Sequence, residues 1–548
     1  MKEKLECELS KLIENLFSVT LDVSFSRPES IFGDYSSNVA LVLAGKLKRP
    51  ASEIAAQIAE ELKSELIKKI EVKQPGFLNV YLKDEVILEE LNSLSNYKKT
   101  NGNKDILVEF GDPNPFKEMH LGHLYSSIVG DSISKLLEES GAAVKRLSYH
   151  GDVGLNVARW IWAIGRASDW NLDVAKGLLK DTKQPLGTFY AMGAKADEED
   201  SHISEEIKKI NVHIYKRDRK DINELYDYGR ELSFKYFDEL FDSIGIRYDK
   251  RYLESETSVV GTEEVNKNIN TVFEKSDGAV VYKGEKVGLH TRVFINSKGL
   301  PTYEAKDLGL AVLKGIDYPK ANRSIVITAS EQTEYFKVML SALKEINPEL
   351  AGKTTHLAHG FLSLTTGKMS SRKGNVYSAI DLLSQVKEKV SEQYPKSDKQ
   401  DEIYLSAVKY TFLRQRLGAD IVFDVKESVG LEGNSGPYIQ YAHARAKSIL
   451  AKSSIKSQKV DNLESDERLL AFKITEYKEV VEKAVNELLP SHICTYLFEL
   501  AQVFNSFYEK NRVLDHERTN IRLSLLESYT RVLKAGLHLL GISAPESL

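Results

Sequence analysis

The sequence predicts a multidomain α/β protein built around a parallel β-sheet, with a small α+β module before it and an all-α domain after it. Three observations carry this reading. The 548 residues suffice for three or four domains of ordinary size. A strand, turn, helix and second strand follow one another over residues 105–149, the βαβ succession of a parallel sheet. From about residue 400 to the end, apolar residues recur with helical period.

Residues 1–95 form the α+β module. Leu47 to Lys69 has helical apolar spacing, and Pro75-Gly76-Phe77-Leu78-Asn79-Val80-Tyr81-Leu82 alternates like a strand entered through a turn. Asn96 to Lys104, polar and lysine-rich, reads as a linker. Asp105 to Phe110 is then a buried strand, and the turn from Gly111 to Pro115 is rich in Gly, Asp, Pro and Asn. A helix opens at His120 and runs towards Glu139, and Val144 to Tyr149 is the next strand. With the later strand Ser324 to Thr328, these give a Rossmann-type domain over 104–395. The charge-dense helical stretch at about 190–260 is expected to be an insertion between two halves of the sheet. Residues 400–548 read as helical throughout, for example Ile474 to Leu489 and Leu497 to Tyr508.

Composition narrows the function class. No run of 18 apolar residues exists, so no transmembrane helix is expected. The N-terminus, Met1-Lys2-Glu3-Lys4-Leu5-Glu6, lacks the apolar core of a signal peptide. Two cysteines, Cys7 and Cys494, exclude a disulfide framework or a cysteine zinc cluster and fit a reducing cytoplasm. With a net charge of −5, a nucleic-acid partner must be held by local basic patches.

Two motifs carry chemistry. His120-Leu121-Gly122-His123 places two imidazoles on the first turn of a helix, where backbone amides favour an anion. Both rings share a face and can donate to phosphate oxygens as charge builds, and Gly122 lets a nucleoside approach the backbone. Alone, such a pair is as readily a helix cap or a core pair. Lys368-Met369-Ser370-Ser371-Arg372 lies in the glycine-flanked, acid-free loop 367–375, which can close over a triphosphate. Alone, it reads as a solvated basic loop. No Walker A motif competes, because Asn347 stands where the first glycine before Gly352-Lys353-Thr354 is needed.

Together these motifs resemble the arginyl-tRNA synthetases, a family of class I aminoacyl-tRNA synthetases. Lys117-Glu118-Met119-His120-Leu121-Gly122-His123-Leu124 is similar to that family's HIGH motif, preceded by Val108-Glu109-Phe110 and Pro113-Asn114-Pro115. Gly433-Asn434-Ser435-Gly436-Pro437-Tyr438-Ile439-Gln440-Tyr441-Ala442-His443-Ala444-Arg445 resembles the opening of its anticodon-binding domain. Gly33-Asp34-Tyr35-Ser36-Ser37-Asn38 and Gly76-Phe77-Leu78-Asn79 resemble its N-terminal domain, which contacts the tRNA elbow. The resemblance implies an arginine–tRNA ligase that forms arginyl-adenylate from ATP and L-arginine and passes arginine to tRNA(Arg). It implies ATP binding by His120, Gly122, His123 and the loop Lys368, Met369, Ser370, Ser371, Arg372, with His120, His123 and Lys368 as catalytic donors. It implies an arginine pocket of Glu109, Asn114, Tyr303, Asp307 and Gln332. Two carboxylates, amides and a phenol suit a planar five-donor guanidinium. Magnesium is expected to come with ATP, with no dedicated protein metal site.

The chain departs from the pattern in three places. Ser371 stands where a second loop lysine is frequent, and Lys117 is expected to substitute, with Lys373 as runner-up. Tyr125 stands where arginine is usual, which puts a phosphate or tRNA-end contact in doubt. The chain ends in Leu548 where methionine is usual. On the tRNA side, no acid occurs between Glu432 and Asp461, a window that holds Arg445 and Lys447. Arg445 and Lys447 are therefore expected on a phosphate track, and the resemblance implies Tyr496, Tyr508 and Arg512 at the anticodon surface and Phe77 and Asn79 at the elbow. A monomer is expected. Two other readings stay open: a class I synthetase for another amino acid, and a catalytically impaired tRNA-binding paralogue.

Overall fold

The computed structural model describes residues 1–94, 99–182, 184–365, 377–453 and 462–548. The first unit has three antiparallel strands, β1 (Tyr35–Ser37), β2 (Ile67–Lys73) and β3 (Phe77–Leu82), in the order β1-β3-β2. Helices Val39–Leu47 and Ala51–Glu61 bury Val39, Leu43, Ile54 and Ile58 in its core. The helical spacing expected over 47–69 stops at Glu61, and the chain continues as β2. Ile70 and Val72 suit a two-residue period as well as a helical one, and pairing with β3 decides between them.

The second unit is a five-stranded parallel sheet. Its strands are β4 (Asp105–Glu109), β5 (Ala143–His150), β6 (Lys250–Leu253), and, after the small antiparallel sheet β7 (Glu274–Ser276), β8 (Ala279–Tyr282) and β9 (Arg292–Ile295), the strands β10 (Arg323–Ala329) and β11 (Thr354–His359). The order β11-β10-β4-β5-β6 puts the reversal of strand order between β4 and β10. The insertion is larger than expected and starts earlier: five helices from Leu155 to Ser243 pack around Trp160, Ile161, Phe189 and Ile207. Its first helix is apolar rather than charged, so charge density alone misses it. Residues 250–253, expected inside the insertion, are the edge strand β6 instead.

Helices Glu254–Lys267 and Tyr303–Asp317 cross at glycines. A Cβ on Gly261 would stand 1.8 Å from the Ala305 carbonyl oxygen, and one on Gly309 would stand 2.2 Å from that of Thr257. This backbone contact sets Glu254 and Lys306 against each other at the top of the sheet.

Helix Gln400–Leu413 opens where helices are expected to begin, but strands β12 (Leu362–Leu364) and β13 (Ile421–Phe423) then pair in parallel as a separate two-stranded sheet before helix Gly436–Leu450. The Gly433–Arg445 string starts helix Gly436–Leu450. The Ser435 hydroxyl accepts from the Tyr438 N–H at 3.2 Å, and Gly436 lies so close to Ser406 that a Cβ would stand 2.4 Å from its carbonyl oxygen. Gln440 donates to the Ser543 carbonyl at 3.0 Å, and His443 to that of Pro545 at 2.9 Å, which ties the C-terminal segment to this helix. The first and last units meet through Arg27, stacked on Phe472 and bonded to Glu479 at 2.8 Å, and through Arg468, bonded to Asp34 at 2.7 Å and to Asp84 at 2.9 Å.

Candidate active site

Open parallel sheets hold ligands at the carboxyl ends of the strands flanking the reversal. A cavity of about 520 Å³ opens there. Glu109, Asn114, Tyr303, Asp307 and Gln332, the residues expected to hold arginine, line it together with His120, Gly122 and His123.

Strand β4 delivers Glu109, which is 3% exposed and ion-paired with the buried Lys314. The following turn delivers Asn114, whose side-chain oxygen accepts from the Gly151 N–H at 3.1 Å. A Cβ on Gly151 would stand 2.4 Å from that oxygen, so a side chain there would displace Asn114. Helix Tyr303–Asp317 delivers Tyr303 and Asp307, and Gln332 ends the short turn after β10. Asp307 has no hydrogen-bond or ion-pair partner among the described residues. Burial first, then the negative charges of Glu109 and Glu254, push its pKa well above the carboxylate range. Asp112 is raised in the same way, by burial and then by Glu109, although it accepts from the Tyr149 N–H at 2.7 Å. Glu254 is already paired with Lys306 at 2.5 Å. The pocket thus carries carboxyl groups that await a cation.

At the opposite end the two histidines are neutral. His120 caps helix Leu121–Glu139: its Nδ1 accepts from the Gly122 N–H at 3.1 Å, so Nε2 carries the hydrogen. The His120 and His123 rings stack with centroids 3.5 Å apart. The His120 ring is open towards the cavity, yet crowding by its surroundings, with repulsion from Lys117 and His359, lowers its pKa to about 4. Burial pushes His123 well below its ordinary value as well, and its Nδ1 has no partner among the described residues. Two neutral imidazoles at a helix N-terminus can donate to an anion without a charge of their own.

Lys117 does not line the cavity. Its ammonium lies 4.2 Å from the Tyr190 ring centroid, against the insertion, and reaches the histidines only through its charge. Tyr125 is buried against His359 and Phe412, so it packs the core where an arginine would reach outward. Lys368, Met369, Ser370, Ser371 and Arg372, with Lys373, lie outside the described residues. Among the described residues, no three His, Cys, Asp or Glu side chains converge as metal donors.

On the tRNA side the structure corrects two expectations. Asn79 is 2% exposed and accepts from the Ser36 hydroxyl at 2.8 Å, so it fastens β1 to β3 and is closed to tRNA. Tyr496 is likewise 2% exposed, donating to the Lys473 and Ile474 carbonyls in the helical core. Phe77, Tyr508 and Arg512 are exposed. The Arg445 guanidinium lies over Tyr441 and Tyr508. Lys447 is paired with Glu546 at 2.9 Å, so its acid-free sequence window meets an acid in space.

Sequence reasoning missed Asp112, Tyr149, Glu254, Arg292 and His359, all of which line the cavity. Glu254 was legible in principle, because it follows the carboxyl end of β6, but that strand was hidden in the expected insertion. Asp112 sat unweighed in the turn before Asn114.

A histidine turn on the first helix of a parallel sheet, facing an acid-lined pocket, has the chemistry to suit an anion at one end and a small cation at the other. Comparison with known proteins narrows this. Residues 86–425 match the family of tRNA synthetases class I (R), catalytic domain; residues 1–82 match the arginyl tRNA synthetase N-terminal domain, and residues 439–548 the DALR anticodon-binding domain. The chain is 28% identical over 584 residues to an arginine–tRNA ligase of Borrelia garinii subsp. bavariensis, covering 99% of this chain and 98% of the relative. It is similar over the full length of both chains to the Thermus thermophilus arginyl-tRNA synthetase structure, with a TM-score of 0.82 and 25% identity. The Plasmodium falciparum arginyl-tRNA synthetase structure shares the fold, with a TM-score of 0.81 and 22% identity over 100% of this chain and 99% of that one. The chain belongs to the class I tRNA synthetases of the arginine type.

Proposed function

We propose that this chain is an arginine–tRNA ligase that works through arginyl-adenylate in the cavity described above. One observation carries the reading: five acceptor-bearing side chains and two neutral histidines line the same 520 Å³ space. Glu109 and Asp307 hold the guanidinium from two sides, and Tyr303, Asn114 and Gln332 supply neutral acceptors and fix the rest of the amino acid. A lysine ammonium satisfies fewer of these acceptors, so the pocket discriminates by leaving buried groups unpaired. His120 and His123 donate to the phosphates as charge moves towards pyrophosphate. The 2′-hydroxyl of the terminal adenosine then attacks the anhydride carbonyl and AMP leaves, a step that mostly needs positioning. Lys117 replaces the missing loop lysine through its field rather than by contact. Magnesium enters as part of the ATP substrate.

Arg445 with Tyr441 and Tyr508 forms a stacking face suited to unpaired anticodon bases. One chain supplies every cavity wall named, so the reading requires no second copy. The two free thiols, Cys7 exposed, suit a reducing cytoplasm. The test is a charging assay with tRNA(Arg) and a panel of amino acids: arginine is expected to be charged well above the rest, and lysine, glutamine or cysteine charged above arginine overturns the reading.

A further inference from the structure

Behind the arginine cavity lies a second one of about 360 Å³, and Glu109 and Asp307 line both. Lys314 lines only the rear space. It sits on helix Tyr303–Asp317 seven residues after Asp307, two turns deeper on the same face. Its ammonium is buried and ion-paired with Glu109, so Glu109 stands between the substrate space in front and a lysine behind.

The groups facing Glu109 come from every neighbouring element. Lys314 and Asp307 come from the helix, Asp112 from the turn after β4, Tyr149 from β5 and Tyr252 from β6, while the β10 partner in register, Val326, is apolar. Among these, Lys314 is the one cation. The others are acids or phenols whose pKa values are pushed up partly by the negative charge of Glu109. A buried carboxylate without a counter-charge neutralises itself by taking a proton.

We infer that Lys314 is a positioning residue for arginine specificity: from behind the pocket it keeps Glu109 charged and aimed at the site of the guanidinium. The ammonium never touches substrate. It supplies the counter-charge while the pocket is empty, and the entering guanidinium adds a second one from the front. Without Lys314, arginine binding has to expel a proton from Glu109.

This inference rests on the arginine reading, and one experiment separates the two. Arginine is titrated calorimetrically into the full chain in buffers of different ionisation enthalpy, which counts protons released per arginine bound. The count is compared for wild type, Lys314→Met, Lys314→Gln and Lys314→Arg. Near neutral pH, Met and Gln are expected to raise the count towards one further proton and to weaken arginine by tenfold or more, recovering as pH rises. Arg is expected to restore the wild-type count. An unchanged proton count in Lys314→Gln, which keeps a hydrogen-bond donor towards Glu109 should the Met variant fail to fold, overturns the role of Lys314. Wild type that binds no arginine overturns the reading of the pocket instead.

Discussion

The two ends of the active-site cavity solve opposite electrostatic problems. The end expected to hold arginine collects Glu109, Asp112, Glu254 and Asp307; Lys306 pairs with Glu254 and Lys314 with Glu109, and Asp307 has no partner among the described residues. The phosphate end holds His120 and His123 with pKa values depressed far enough to keep both neutral. On the proposed reading, a cationic amino acid is selected by buried acids, one of which ionises only as the cation arrives. On the same reading, the described residues meet a triphosphate with neutral donors at a helix N-terminus. The difference teaches that specificity and activation use separate physical currencies in one cavity.

That contrast predicts a split between binding and turnover. The largest effect is expected for Asp307→Asn. Losing one partner of a buried charge pair costs about 4 kcal/mol, on the order of a thousandfold in kcat/KM for arginine. The loss should appear in the arginine KM with the ATP KM little changed, and steady-state charging at varied arginine measures it. An equal loss in both KM values would break the division into two ends.

His120→Ala should do the reverse. Removing one preorganised donor costs about a hundredfold in kcat, with the arginine KM within a few-fold of wild type. A smaller effect is expected for Lys117→Ala, which acts at a distance: about tenfold in kcat, or about 1.4 kcal/mol. Full activity in that variant would hand the missing loop charge to another residue, with Lys373 first in line.

The smallest effect is a pH dependence. Asp307 has a raised pKa in the empty pocket and must be ionised to pair with a guanidinium. As pH falls, more of it is protonated, so the arginine KM should rise on acidification, and Asp307→Asn should flatten that limb. Stability follows the same sign for another reason. His150 is buried and its pKa is lowered to about 4, so the unfolded chain binds its proton first. Stability is lost as pH falls from about 6.5 towards about 4. Urea midpoints measured across that window should fall, and fall less in His150→Gln.

Much of this was legible in the chain. The strand ending in Glu109, the helix opening at His120 and the strand at Ser324 are marked by turn residues and apolar runs that act locally. Other features depend on distant partners. Nothing near Asn79 or Tyr496 distinguishes a tRNA contact from a core group, and only packing buries them. Leu47 to Lys69 carries a pattern that either a helix or a strand can use, and pairing with β3 selects the strand from Ile67 onward. The Gly433–Arg445 string identifies its domain, but its glycine, glutamine and histidine also work structurally, against Ser406, Ser543 and Pro545.

By itself, the sequence determined the parallel-sheet architecture, the histidine turn and the acids that suit a guanidinium, because short-range turn chemistry and residue type fix these. Tertiary structure alone decided which acids are paired and which wait. Lys306 cancels Glu254 and Lys314 backs Glu109, because a glycine-to-glycine helix crossing and a lysine seven residues beyond Asp307 bring these charges together. Charge in a dry cavity is set by neighbours in space, and most of those neighbours are far away along the chain.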